Sequence, residues 1–342
     1  MLEALSEKYD EDFRFIESAN GKIPLIGHEA IDVKGKVITD EVRDIIKEVK
    51  DNNGAIICGP GGGRFVYALR DEFDLFYKIC PIKPMLSLAD ISGYKESVRI
   101  NVDVMMIRPN NFGLYHGDRD YYLEDKNEIA TQMEKANYSE VKRFAEKIFG
   151  EAKKRNGRIT ICHKKDAMPG VYRIWKKAFD EVNESNKDVD IEWVLADTFV
   201  SNSSIPHKVK EYDIVTGLNW MMDNAADIAY DGTRGTLYSA NFDADGFGIY
   251  QTGHGAAHDI EGRNIANPVG QILSVAYMLK RSFGLGEISN KIIKSINKTL
   301  EDYRTADIYY NSEKKDALQL VTTKEFADYV IKNLEGDFDE KD

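Results

Sequence analysis

Short apolar runs that alternate with amphipathic stretches restrict this chain's fold more than any other feature. Val42, Ile45, Ile46 and Val49 recur at helical spacing after Thr39, which can cap the helix, and Gly54 ends it. Ala55-Ile-Ile-Cys58 follows, a run of the kind a buried parallel strand shows, and then the turn Gly59-Pro-Gly-Gly-Gly63. The same rhythm returns downstream. Val102–Arg108, Arg158–Cys162, Val189–Asp197 and Tyr212–Gly217 read as strands. Between them, Ser139 can cap a helix through Val141, Phe144, Ala145 and Ile148, and another helix runs through Val171, Ile174, Trp175 and Val182. Residues 1–20 read as a helix and then a strand carrying Phe13, Phe15 and Ile16. Helix, strand and turn in this order predict an α/β fold, a sheet flanked by helices.

The 342 residues suffice for two domains, and 42% apolar with 30% charged residues describes a soluble chain with a sizeable core. A net charge of −12 argues against nucleic acid as partner, because such binding needs basic patches. No apolar run reaches the roughly 18–20 residues that span a bilayer, and Val269–Met278 is therefore a core or interface helix. The N-terminus does not read as a signal peptide. Cys58, Cys80 and Cys162 are an odd number with no zinc spacing, which fits free thiols in a cytoplasmic protein. Glu335–Asp342 is an acidic tail.

Chemistry concentrates between Tyr212 and Pro268. A helix starting near Trp220 puts Asp223 and Asp227 on one face. Two carboxylates at that spacing repel by roughly 0.2–0.5 kcal/mol unless a cation lies between them. Oxygen-only ligation suits Mg²⁺ or Mn²⁺. On spacing alone a solvated acidic face is the more ordinary reading of the pair. The run Thr252-Gly-His-Gly-Ala-Ala-His-Asp-Ile-Glu-Gly-Arg-Asn-Ile-Ala-Asn-Pro268 reads as a loop that ends by capping a helix, with Asn267 at N-cap and Pro268 at N1.

His254–Pro268, following a paired-aspartate helix, resembles the loop of the isopropylmalate/isocitrate dehydrogenase family, the metal-dependent β-decarboxylating dehydrogenases. The resemblance implies a two-domain fold with a parallel or mixed sheet. Residues 1–75 plus 234–342 would bind cofactor, and 76–233 would carry substrate, metal and dimer contacts. It implies that His254, Gly255, Ala256, Asp259, Ile260 and Asn267 hold the adenosine end of the cofactor, with Gly61 and Gly62 nearby. A carboxylate at Asp259 would accept from the ribose hydroxyls and repel a 2′-phosphate, which favours NAD. Arg304-Thr-Ala-Asp307 resembles a late motif near the adenosine.

The resemblance extends to the substrate. Arg70 matches the first of two arginines that clamp carboxylates, and the second falls on Cys80, whose thiol cannot replace a guanidinium fork. Lys78 or Lys83 could supply a point charge. Arg108 and Tyr115 match a strand-end arginine and the proton-donating tyrosine seven residues on, although Pro109 replaces a glutamate. Lys164, or the adjacent Lys165, matches the catalytic lysine. Asp197 would join Asp223 and Asp227 as metal ligand, with one residue more than usual between Thr216 and Asp223. In the family the lysine and Asp197 reach across from a second subunit, which implies a homodimer with shared sites.

Phe65, Val66 and Tyr67 would read the substituent, nearer to isopropylmalate than to isocitrate. The expected activity is NAD- and divalent-metal-dependent oxidative decarboxylation of a substituted malate to a 2-oxo acid. The alternatives are a non-catalytic or regulatory subunit, and a dehydrogenase of another 2-hydroxy acid (isocitrate, tartrate or a phosphonate-bearing acid). No Gly-Asp-Gly-Ile-Gly-Pro turn precedes Met1–Leu5, which resembles the helix that normally follows it. The first β-α unit is thus expected to be missing, leaving a sheet edge that needs cover.

Overall fold

The computed structural model describes residues 2–9, 13–16, 37–60, 63–92, 101–203, 205–231 and 237–336. Its frame is a mixed sheet of eight strands. In chain order, α1 (Leu2–Tyr9) and α2 (Asp40–Asp51) precede β1 (Ile56–Ile57) and α3 (Gly63–Glu72). Then come β2 (Tyr77–Ile82), β3 (Val104–Pro109) and a separate hairpin of β4 (Arg119–Glu124) and β5 (Asn127–Gln132). The units α4 (Tyr138–Ala152), β6 (Arg158–His163), α5 (Pro169–Glu184), β7 (Asp190–Leu195) and α6 (Ala196–Ser203) follow. Next are β8 (Ile214–Thr216), α7 (Asn219–Asp231), β9 (Tyr238–Phe242) and β10 (Gly248–Thr252). The chain closes with α8 (Val269–Ser282), α9 (Gly286–Asp302) and α10 (Thr323–Glu335).

The strand order is β1-β10-β9-β2-β3-β8-β6-β7. Pairs β3–β8, β8–β6 and β6–β7 are parallel, and β10–β9, β9–β2 and β2–β3 are antiparallel. The seam between β9 and β2 is also where the expected cofactor-binding segments meet residues 76–233. The sheet runs across that seam without a break.

Local chemistry explains the helices that the sequence predicts. The Thr39 side chain accepts from the Val42 amide at the start of α2, and α2 buries Val42 and Ile46. Helix α5 begins on Pro169 and buries Tyr172, Trp175, Ala178, Phe179 and Val182. Helix α4 corrects an expectation: Asn137, not Ser139, is its N-cap, and its side chain accepts from the Ser139 amide. Asparagine caps as well as serine does, so two adjacent candidates left the start ambiguous. Residues 13–16 form no strand. β1 pairs in parallel with β10, as its apolar run predicts, but is only half-buried, and among the described residues it is the outermost strand with no strand on its free edge.

The main core lies between β2, β3, β6 and β8 and the helices α4, α5 and α7. A second core joins α1 to α8, α9 and α10. A third, smaller one packs α2 and α3 on Phe247 and Ile249. Glu151 and Arg281 bind each other through two hydrogen bonds of 2.8 and 2.9 Å and tie α4 to α8. No helix among the described residues is long and apolar enough to cross a membrane.

Candidate active site

The sheet register builds the site. Lys78 on β2 lies opposite Arg108 on β3 and opposite Asn241 on β9. Residues directly opposed in antiparallel strands point to one face, so these three side chains form a row across the sheet. Arg70, on α3, adds a third cation by donating from Nε to Asn241 Oδ1 at 3.1 Å. The same oxygen accepts from Asn110 Nδ2 at 2.9 Å, which fixes its orientation. Arg70, Lys78 and Arg108 are only 4%, 7% and 5% exposed. Burial, and then the neighbouring Arg108 charge, lowers Arg70 to about 10 and Lys78 to about 8.

Helix α7 supplies the counter-charge. It buries Met221, Met222, Ala225, Ala226 and Ala229 in the main core. That packing leaves Asp223 and Asp227 one turn apart on its flank. Arg108 Nη2 pairs with Asp223 Oδ1 at 2.7 Å, and Nη1 donates to Asn219 Oδ1 at 2.5 Å. The Tyr115 hydroxyl, in the short turn Leu114–His116, donates to Asp223 Oδ2 at 3.3 Å. Burial, and then the Asp223 charge, raises Tyr115 above the ordinary phenol range. Burial and Asp223 also raise the Asp227 carboxyl. A like-charged pair held this way is a donor set for a hard divalent cation.

Lys164 follows β6 and Asp197 lies in the first turn of α6, and the two form an ion pair with each other. Among the described residues no three His, Cys, Asp or Glu side chains gather to hold a metal. One chain therefore assembles Asp223 with Asp227 and does not bring Asp197 to them. His163 is buried against Tyr172 and Trp193, and its Nδ1 accepts from the Lys165 amide.

The residues expected to read the substituent separate. Phe65 is buried in the third core, and Val66 is buried as well. Tyr67 is exposed, with the Arg70 guanidinium 4.9 Å from its ring centroid. Lys83 is exposed and bonded to Asp103 at 2.9 Å, away from the row. Arg304 is buried, and both its terminal nitrogens bind Asp90, at 2.7 and 2.8 Å.

The loop after β10 carries the expected cofactor residues. Gly255 and Asp259 lie exposed on it, Ala256 and Ile260 half-buried, and His254 Nδ1 is 3.0 Å from the Gly255 carbonyl. A side chain at Gly270 would collide with the Leu237 carbonyl, so α8 approaches that backbone closely. Helix α8 starts one residue later than expected. Pro268 is its N-cap, and Asn267 Oδ1 accepts from the Val269 amide at 3.0 Å. Gln271 donates to the Cys58 carbonyl at 3.2 Å, which sets the turn after β1 against this loop. Gly61 and Gly62 lie outside the described residues. Thr252 Oγ1, Asn267 Nδ2 and Gln271 Oε1 are buried with no partner among the described residues, and such polar atoms suit a nucleotide cofactor.

Sequence reasoning named Arg108, Tyr115 and Asp223, which the fold brings together. It missed Asn241 and Asn110, because the β9–β2 pairing is non-local and gives no local signal.

Comparison with known proteins places this geometry. The isocitrate/isopropylmalate dehydrogenase family pattern matches residues 1–330. The chain is 32% identical to a 3-isopropylmalate dehydrogenase of Aquifex aeolicus, covering 98% of this chain and 92% of that one. It is 31% identical to a 3-isopropylmalate dehydrogenase of Clostridium pasteurianum, covering 98% and 93%. The fold superposes on an isocitrate dehydrogenase from Methylococcus capsulatus with a TM-score of 0.76 at 21% identity, over 90% of this chain and 88% of that one. The chain belongs to the isocitrate/isopropylmalate dehydrogenase family.

Proposed function

We propose that this chain performs its family's metal-dependent oxidative decarboxylation on a malate-type 2-hydroxy acid bearing a carbon substituent, 3-isopropylmalate-like, with NAD as cofactor and as a cytoplasmic homodimer with shared sites. The observation that carries the proposal is the buried row Arg70, Lys78 and Arg108 beside an aspartate that accepts from Tyr115. In this reading Arg70 and Arg108 hold the carboxylate that leaves. Guanidinium forks orient it, and a water-poor wall strengthens the attraction.

Asp223 and Asp227, with Asp197 of the partner subunit, would hold Mg²⁺ or Mn²⁺, which would supply a Lewis acid, and the bound nicotinamide would supply the hydride acceptor. The partner subunit's Lys164 takes the proton of the substrate hydroxyl. Tyr115 keeps its proton at neutral pH as any phenol does, and burial and then Asp223 raise it further. Its hydroxyl oxygen can then give that proton to the carbon left by CO₂. The exposed Asp259 supports NAD over its 2′-phosphorylated form.

Two features support a shared site. Within one chain Asp197 stays apart from the aspartate pair. The β4–β5 hairpin presents Tyr121 and Leu123 at 64% and 71% exposure, an apolar surface suited to a second copy. We also propose the domain division at the β9–β2 seam, where Asn241 meets Lys78.

The test is NADH formation with Mn²⁺, NAD⁺ and isopropylmalate, isocitrate, malate, tartrate or a phosphonate-bearing analogue. Turnover is expected with a substituted malate. Lys164→Ala and Tyr115→Phe should each lower kcat by about 10²-fold or more. Chelation should abolish turnover and added Mn²⁺ restore it. A folded dimer that turns over none of these acids would overturn the proposal in favour of a non-catalytic subunit.

A further inference from the structure

Lys78 is the one lysine among the described residues that is buried. Its Nζ makes no hydrogen bond or ion pair among them. Two guanidinium groups, Arg108 and Arg70, repel it, and Asp223 and Cys80 are the groups that favour its charge. Arg108 already spends its terminal nitrogens on Asp223 and Asn219. A largely buried lysine held against two cations, its three donors without an acceptor among the described residues, is a site for an anion.

The strand pleat locates that anion. Lys78 and Cys80 are two apart on β2 and point to the same face. Cys80 is buried and close enough to influence both Arg70 and Lys78. Its thiol is shorter than a guanidinium side chain and offers a carboxylate no fork of its own.

We propose that Lys78 binds a substrate carboxylate directly, beside Arg108 and Arg70, so that the three cations form one clamp for a dicarboxylate. This inference rests on the dehydrogenase reading above and adds a specificity residue to it. A point charge in place of a fork admits a carboxylate at more than one angle, so the clamp accepts a wider range of substituents on the carbon that bears it.

The experiment uses the full chain and two readouts. KM and kcat are measured for whichever acid the wild type turns over, and malonate binding is measured by calorimetry without cofactor. Lys78→Met keeps the apolar stem and removes the charge. It should raise KM and weaken malonate by about 10- to 100-fold, the weight of a charge-assisted hydrogen bond, with kcat changed far less. Adding Cys80→Arg to Lys78→Met should restore most of both. Unchanged KM and malonate affinity in Lys78→Met would overturn the proposal. So would a loss that Cys80→Arg leaves unrepaired, because that assigns Lys78 a packing role. Absence of turnover in the wild type would sink the dehydrogenase reading. The malonate titration would still decide whether Lys78 binds a dicarboxylate.

Discussion

At the residue scale, Arg304 and Asp90 show what a complete buried ion pair looks like beside the open row of the active site. They are 2% and 4% exposed, and Ser312 donates to the same carboxylate. Burial pushes the Asp90 carboxyl up, but the Arg304 guanidinium and the Ser312 hydroxyl more than offset it and hold it at about 2. A depressed carboxylate stabilises the fold above its unfolded value of about 3.9. That contribution is lost as pH falls through the folded value near 2. Wild type should therefore lose stability between about pH 4 and pH 2 more steeply than Asp90→Asn, read by denaturant titration across pH. Arg304→Ala strands a buried charge and should destabilise by about 3–5 kcal/mol, and Arg304→Met with Asp90→Leu should recover most of it. The arginine's sequence context suggests a cofactor contact. Its partner lies 214 residues away, and only the fold reveals it.

At the scale of elements, the β4–β5 hairpin and the Tyr115 turn form one stitched unit. The Leu114 amide donates to Glu134 Oε2 at 2.9 Å, and the Gly113 amide donates to the Lys135 carbonyl at 3.2 Å. A Cβ on Gly117 would lie 1.6 Å from the Met133 carbonyl oxygen. Gly117→Ala must therefore move the hairpin root, and Tyr115 with it. Stopped assays should show kcat lower by at least about tenfold while the unfolding midpoint shifts little. An unchanged kcat would mean that α7 alone places the tyrosine.

Elements with a strong local period were legible in the sequence: α2, α5 and α8 among the helices, β3 and β6 among the strands. The hairpin was not. Its strands are exposed on both faces, so no apolar alternation marks them. Its loop, Asp125-Lys126, has both residues at positive φ (49° and 68°) without the glycine that normally announces such a turn. The site divides in the same way. Arg108, Tyr115, Asp223 and Asp227 were readable from spacing and resemblance. The arrangement of Lys78 opposite both Arg108 and Asn241 depends on sheet register, which no short window contains.

At the scale of the whole molecule, sharing of sites between two chains has a direct test. Lys164→Ala and Tyr115→Phe chains, each nearly inactive, are mixed by refolding together. Random pairing makes half the dimers mixed, each with one intact site of two, so about a quarter of wild-type turnover should return. No recovery from a confirmed mixed dimer would place both residues in the same chain's site. The row of Arg70, Lys78 and Arg108 also carries a consequence for the life of the protein in a cell. Mutual repulsion among these buried cations burdens the folded chain and not the unfolded one. An acid that binds only the folded chain relieves it, by about 2.7 kcal/mol at a hundred times its Kd, and so makes unfolded molecules about a hundredfold rarer. Proteases feed on those unfolded molecules. The protein should therefore resist proteolysis better while such an acid is bound and lose that protection when the acid is removed.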